Sequence, residues 1–290
     1  MENSAAQGRL YALAPGILAA ATFAIADVTG KIVLIDGMDV LTLSTFRGLF
    51  SIVFLFVWMR VGTIPVPHSP QQRWVSLGIG VLFAGVVFGV FKAIELVPVS
   101  IAILSYFIYP LVTGIMASLL GMERLGWQGL AAAVIAFFGL ALTVGAHPGD
   151  LALAGIGFAV GAAICRVAVL LITRGMLNHA DPLYTTWYSI LSSTAILGAF
   201  SLLNWTWRNP HTLYGWNSLI LLSLATVIAV LALFVSIKRI GPFRTALIMN
   251  MEPLLATLLS APILGELITP LQAVGGGIML AALVAFQLRR

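Results

Sequence analysis

Charge is scarce in this chain. Asp, Glu, Lys and Arg make up 9% of its 290 residues, against about a quarter in a soluble domain. That shortage excludes a water-soluble globule. The only cysteine, Cys165, rules out an internal disulfide and a cysteine-built metal cluster. It sits in an apolar run and reads as packing. The four histidines, His68, His147, His179 and His211, fall between the apolar runs and far from one another. Neither H-E-x-x-H nor G-x-S-x-G occurs, so an intramembrane enzyme has no visible machinery and no metal site is expected. A G-x-x-x-x-G-K-[ST] loop is missing too, as is any hydrophilic domain to host one, which argues against ATP-driven transport by this chain alone. No cofactor is implied. The net charge of +5 comes without any Lys/Arg run long enough for a nucleic-acid patch, and none is expected as a partner.

What the chain has is apolar length. Hydrophobic residues are 60% of it, and the mean hydropathy is +1.06. A helix needs roughly 20 apolar residues to cross the hydrocarbon core. Ten stretches qualify: 13–35, 40–59, 74–96, 99–120 and 127–146, then 151–173, 183–203, 214–237, 243–264 and 269–288. The spacing therefore predicts an all-α integral membrane protein of ten spans, with the lipid bilayer as its surroundings. The first stretch is too long for a signal-peptide core and lacks a small-residue cleavage pattern, so it reads as a retained span. Arg9, Arg60, Arg73, Arg124, Arg174, Lys238, Arg239, Arg244, Arg289 and Arg290 fall on one set of faces. Lys31, Lys92 and Arg208 fall on the other. The positive-inside rule places both termini in the cytoplasm of a plasma (inner) membrane protein.

The chain also repeats itself. Pro98–Val–Ser–Ile–Ala102, Tyr109–Pro110 and Gly121–Met–Glu123 are matched by Pro242–Phe–Arg–Thr–Ala246, Glu252–Pro253 and Gly265–Glu266. Pro253 follows Pro110 by 143 residues, Glu266 follows Glu123 by 143, and Pro242 follows Pro98 by 144. Residues 1–147 and 148–290 are then two five-span copies that work as one unit. An odd number of crossings inverts the second copy. Inverted repeats with breaks in matching helices mark alternating-access transporters.

This pattern resembles the EamA repeat of the drug/metabolite transporter superfamily, along the whole of 13–288. Arg47, in Thr45–Phe–Arg–Gly48, also resembles that family. Within it, the stretch Ser105–Tyr–Phe–Ile–Tyr–Pro110 looks most like the YddG-type bacterial amino-acid exporters. The second copy departs from the first, with Arg244 where Ser100 stands and Ser189 where Arg47 stands. The resemblance implies a central cavity lined mainly by spans one, three, four, six, eight and nine. It also implies transport of small organic solutes.

Ionisable groups inside spans are expensive and commonly face a cavity or a partner. Arg166, deep in the sixth span, suits a substrate carboxylate or a structural salt bridge, for instance with Glu252. Asn250 and Glu252 precede Pro253, and Ser105, Tyr106 and Tyr109 precede Pro110. Each set offers polar groups beside a helix bend, and bends are expected at or near Pro98, Pro110, Pro242 and Pro253. Asp27 and Lys31 are four apart and share a face. They read as mutually neutralising, or as an outer-half gate or zwitterion site. Lys92 and Glu95 pair or snorkel at a span end, and Arg47 reads as a structural tie to carbonyls or to a carboxylate such as Asp27, or as a gating candidate. Glu123 and Glu266 read as caps. Small residues in spans five and ten permit close packing within the chain or a homodimer contact.

The expected function is a secondary transporter or exporter of small organic solutes, foremost amino acids including aromatic or apolar ones, working by alternating access across the inner membrane. Drugs and other metabolites are the alternative within the class. Nucleotide-sugar and phosphate solutes fit less well, because only Arg166 is a deep cation. A passive channel and an intramembrane enzyme are the readings from other classes.

Overall fold

The computed structural model describes residues 2–61, 66–97, 99–123, 126–144, 152–205, 207–265 and 267–288. Side chains at 2–10, 95, 99–100, 143–144 and 286–288 are outside the description. Among the described residues the chain is all helical. Its helices are α1 (Glu2–Ile35), α2 (Val40–Val61), α3 (Pro70–Leu96), α4 (Val99–Tyr106), α5 (Tyr109–Leu119), α6 (Trp127–Val144), α7 (Leu153–Met176), α8 (Pro182–Leu203), α9 (Leu213–Ile240), α10 (Pro242–Met249), α11 (Met251–Leu264) and α12 (Pro270–Leu288). Eight segments are long and apolar enough to cross a membrane, counting α4–α5 and α10–α11 as one each. The shorter apolar helices Trp127–Leu142 and Pro270–Ala285 complete ten.

Two spans are interrupted rather than merely bent. Proline has no N–H and its ring crowds the carbonyl four residues back. Four residues before Pro110 is Tyr106, where α4 ends, and four before Pro253 is Met249, where α10 ends. Phe107–Ile108 and Asn250 separate the halves. Pro242 opens α10 behind Gly241, whose φ of +89° favours glycine. Pro98 lies outside the described residues, as do Glu266 and the side chain of Glu95.

Packing follows the repeat. α1 packs on α9, and its counterpart α7 packs on α3. α3 packs on α8, and α9 on α2. The pairs α2–α8 and α6–α12 join counterparts directly, and α5–α10 joins opposite halves of the counterpart spans four and nine. Each copy therefore buries its faces on the other, and neither is a separate bundle. In lipid this packing depends on close backbone approach. A Cβ on Gly139 of α6 would lie 2.7 Å from the Gly275 carbonyl oxygen of α12. A Cβ on Gly48 of α2 would lie 2.8 Å from Thr194 Cβ of α8. The Gly139 surface of span five is thus used within the chain.

The caps repeat as well. Ser69 caps α3 in a full capping box, and Thr212, 143 residues later, caps α9. His68 and His211 stand just before them at the same offset. His68 is buried between the start of α3 and α8. Its Nε2 lies 3.2 Å from the Asp181 carbonyl oxygen, and its ring stacks on Tyr188. Burial holds its imidazole below the usual range. On the opposite face Asp36 accepts from the Thr212 N–H and hydroxyl, both at 2.9 Å. Those bonds hold its carboxyl below the usual range.

Candidate functional site

The broken helices cross the middle of the bundle, and a cavity of about 220 Å³ opens beside them. Phe23 and Asp27 of α1, Phe83 of α3, Tyr106 of α4, Arg166 of α7, Thr226 of α9 and Glu252 of α11 line it. Ser44, Arg47 and Ser51 of α2 and Ser189, Ser193 and Thr194 of α8 line it too. Spans two and seven therefore belong to the wall in addition to the six that the family resemblance implies. Gly48 explains it: the close approach to Thr194 draws α2 and α8 together at the cavity edge.

Arg166 is 4% exposed, and its Nε has no hydrogen-bond partner. Its guanidinium carbon lies 5.5 Å from the Phe23 ring centroid, 5.7 Å from Phe83 and 5.8 Å from Tyr109. The aromatic faces steady the cation without neutralising it. No ion pair with Glu252 forms among the described residues, although the two groups sense one another electrostatically. Asp27 is exposed in the bundle interior because it faces the cavity. It senses the charge of Arg47 across the cavity.

The remaining sequence candidates divide. Tyr106 is on the wall, and its ring lies 5.3 Å from that of Tyr109. Tyr109 and Asn250 are buried behind the wall, with the Tyr109 hydroxyl and the Asn250 Oδ1 unpartnered. Ser105, Lys31 and Lys92 are off the lining. The hydroxyls of α8 were not anticipated. The serine and threonine clustering of 185–194 was the available signal. Of the wall hydroxyls, Ser51 donates to the Ser223 carbonyl, Ser189 to Ser76 and Thr226 to Leu222.

One face of the bundle is sealed beneath the cavity. α5 and α10 pack together there, while α4 and α11 have no comparable contact at the other end. The Glu123 carboxylate accepts from the Phe243 N–H at 2.9 Å, at the start of α10. Burial raises the Glu123 carboxyl above the usual range. Arg174 donates to the Lys238 carbonyl at 2.8 Å, Lys238 to the Ala180 carbonyl at 2.7 Å, and Arg239 to the Tyr11 carbonyl at 3.1 Å. Tyr11 places this sealed face on the side where α1 begins. Most lining residues lie at mid-helix or in the halves of the helices away from it, while Ser189 and Ile190 sit nearer to it, in the first half of α8.

Ten spans in two intertwined copies, broken helices at matched positions and a polar mid-bundle cavity define a membrane transporter, not an enzyme. The EamA-like transporter family model matches the chain twice, over residues 10–145 and 153–286. The chain belongs to the EamA-like transporter family. It is similar to the threonine/homoserine exporter RhtA of Escherichia coli (strain K12), with 28% identity over 219 residues covering 74% of this chain and 71% of the relative. It is also similar to an uncharacterised transporter of Synechocystis sp., with 25% identity over 227 residues covering 75% of this chain and 68% of the relative. One crystal structure superposes with a TM-score of 0.81 at 18% identity, covering 97% of this chain and 99% of that one. That likeness concerns the fold.

Proposed function

We propose that this protein exports small zwitterionic amino acids by alternating access across the inner membrane, with both termini in the cytoplasm. The observation that carries the reading is Arg166: a buried cation at mid-span, on the cavity wall, with an unspent donor and no carboxylate clamped to it. A substrate carboxylate meets Arg166. Its ammonium group meets Glu252 or Asp27. Its side chain lies against Tyr106 and the α8 hydroxyls. The similarity to a threonine/homoserine exporter supports the same class. Size favours the smaller amino acids. At about 30 Å³ per water, 220 Å³ is room for about seven waters. Drug-sized ligands occupy pockets of about 300–1,000 Å³.

Lys238, Arg239 and Arg174 gather at the sealed face, which supports a cytoplasmic assignment for it. The two copies then rock about the cavity as one unit, with the halves of α4–α5 and α10–α11 as the moving parts. Counterflow in proteoliposomes with a panel of labelled amino acids tests the proposal. Saturable exchange of small amino acids is expected. Arg166→Ala removes a charged hydrogen-bond donor worth about 1.5–3 kcal/mol, so apparent affinity falls about tenfold to hundredfold. Glu252→Gln also lowers exchange. Exchange of drugs or phosphorylated sugars, with amino acids failing to compete, would overturn the proposal.

A further inference from the structure

The cavity contains two cations and two carboxylates, and they fall at two depths. From the end of the bundle away from the sealed face, α2 begins at Val40 and reaches Arg47 after about 10 Å, at 1.5 Å per residue. Asp27 lies about 12 Å below the end of α1 at Ile35. Arg166 lies about 20 Å below the start of α7 at Leu153, and Glu252 about 18 Å below the end of α11 at Leu264. Each depth therefore holds one guanidinium and one carboxylate. Asp27 senses Arg47, while Glu252 senses Asp27 first and Arg166 after it, so the two carboxylates also face one another across the cavity. Among the described residues no hydrogen bond or ion-pair contact commits Asp27 or Arg47 to the protein. Asp27 is open to the cavity. A purely structural pair would be closed on itself, with its donors and acceptors used up.

We propose that Arg47 and Asp27 form a second binding station for the substrate zwitterion, closer to the open end than the Arg166 and Glu252 station. The inference rests on the amino-acid reading above and extends it to a second pair on the same cavity wall. The substrate carboxylate passes from Arg166 to Arg47, and the ammonium group from Glu252 to Asp27. The carboxylate is handed on across about 10 Å and the ammonium group across about 6 Å, at about 1.5 Å rise per residue. At about 220 Å³ the cavity holds one small solute at a time, so the stations are occupied in turn. A single deep station would leave the departing zwitterion to shed both partners inside the membrane, where uncompensated charge is costly. A second station removes that barrier.

Equilibrium binding of labelled threonine to the purified full-length protein in detergent tests this, with Arg166→Gln, Arg47→Gln and the double variant. Arg166→Gln is expected to weaken saturable binding but leave a residual site. Adding Arg47→Gln is expected to weaken that residue by a further tenfold or more, the loss of a charged hydrogen bond. Arg47→Lys in the Arg166→Gln background keeps the charge and is expected to retain most of the residual binding. That rescue separates a binding role from a folding role. If Arg166→Gln alone abolishes all saturable binding, or if Arg47→Gln leaves the residual affinity unchanged, the second station is refuted while the amino-acid reading stands. If the wild-type protein binds neither threonine nor any other zwitterionic amino acid, that reading falls and the station falls with it.

Discussion

Gly78 and Gly80 lie two residues apart in α3, and the same substitution should act on them in opposite directions. A Cβ at Gly78 meets nothing within 4 Å. A Cβ at Gly80 would overlap the Ser192 hydroxyl and the Ser189 carbonyl oxygen, and would lie 2.9 Å from the Ser189 carbonyl carbon. The hydroxyl can rotate away, but the main chain of α8 cannot. Carbon contacts settle near about 3.5–4.0 Å, so α3 and α8 must part by about 1 Å. Overpacking of that kind costs about 1–3 kcal/mol. The parting also strains two interhelical bonds, Ser189 to the Ser76 carbonyl at 3.0 Å and Ser192 to the Leu77 carbonyl at 2.7 Å. Such bonds contribute about 0.6 kcal/mol each in membrane proteins. Replacing a mid-helix glycine by alanine returns up to about 1 kcal/mol at either site. Gly78→Ala is therefore neutral or stabilising by up to about 1 kcal/mol. Gly80→Ala is destabilising by about 1–3 kcal/mol. The pair should differ by several degrees in melting temperature, at about 2–4 °C per kcal/mol, read by tryptophan fluorescence of the purified protein in one detergent. A Gly80→Ala protein as stable as Gly78→Ala would refute the close approach of α3 and α8. It would also undercut the position of Ser189 on the cavity wall.

Two further outcomes concern the sealed face and the region beside it. Glu123→Ala removes the acceptor for the Phe243 N–H and should lower the melting temperature, whereas Glu123→Gln keeps an acceptor and removes a buried charge. Because the folded carboxyl is raised, its unfavourable contribution appears as pH rises. Glu123→Gln should therefore match or exceed wild type at neutral pH and lose that advantage in acid, checked by melting curves across pH. His68 shows the other sign. Its folded imidazole is lowered, so the stability it contributes is present above the ordinary imidazole value of 6.5 and is lost as pH falls below it. His68→Asn should flatten the melting profile between neutral and mildly acid pH, and an unchanged slope would exclude His68 as its source.

Much of this architecture was legible without coordinates, because lipid removes most of the choices. With no water in the hydrocarbon core, every backbone polar group must be paired inside its own segment. Apolar length therefore translates almost directly into helices, and the ten expected stretches coincide closely with the observed ones. The breaks were legible for a similar reason. Proline acts on the residue four positions before it, so Pro110 and Pro253 place the ends of α4 and α10 at Tyr106 and Met249. The histidine and cap offsets, 68 to 211 and 69 to 212, were also present in the sequence but are easily passed over beside the longer matches.

The membership of the cavity wall was decided by tertiary packing. Arg47 reads along α2 as a helix-tying residue, with Asp27 as one carboxylate in reach, and Asp27 reads along α1 first as the partner of Lys31. Local spacing gives helical neighbours, but it carries no information about which face meets which helix. Contacts between the two copies supply that. Gly48 against Thr194 draws α2 and α8 to the edge of the cavity. The break after Tyr106 leaves its ring on the wall while Tyr109 turns behind it. Sequence periodicity thus defined the spans and their breaks, because each depends on residues within a turn or two. The arrangement of two arginines and two carboxylates around one space depends on helices far apart in the chain, and only the interlocking of the two copies creates it.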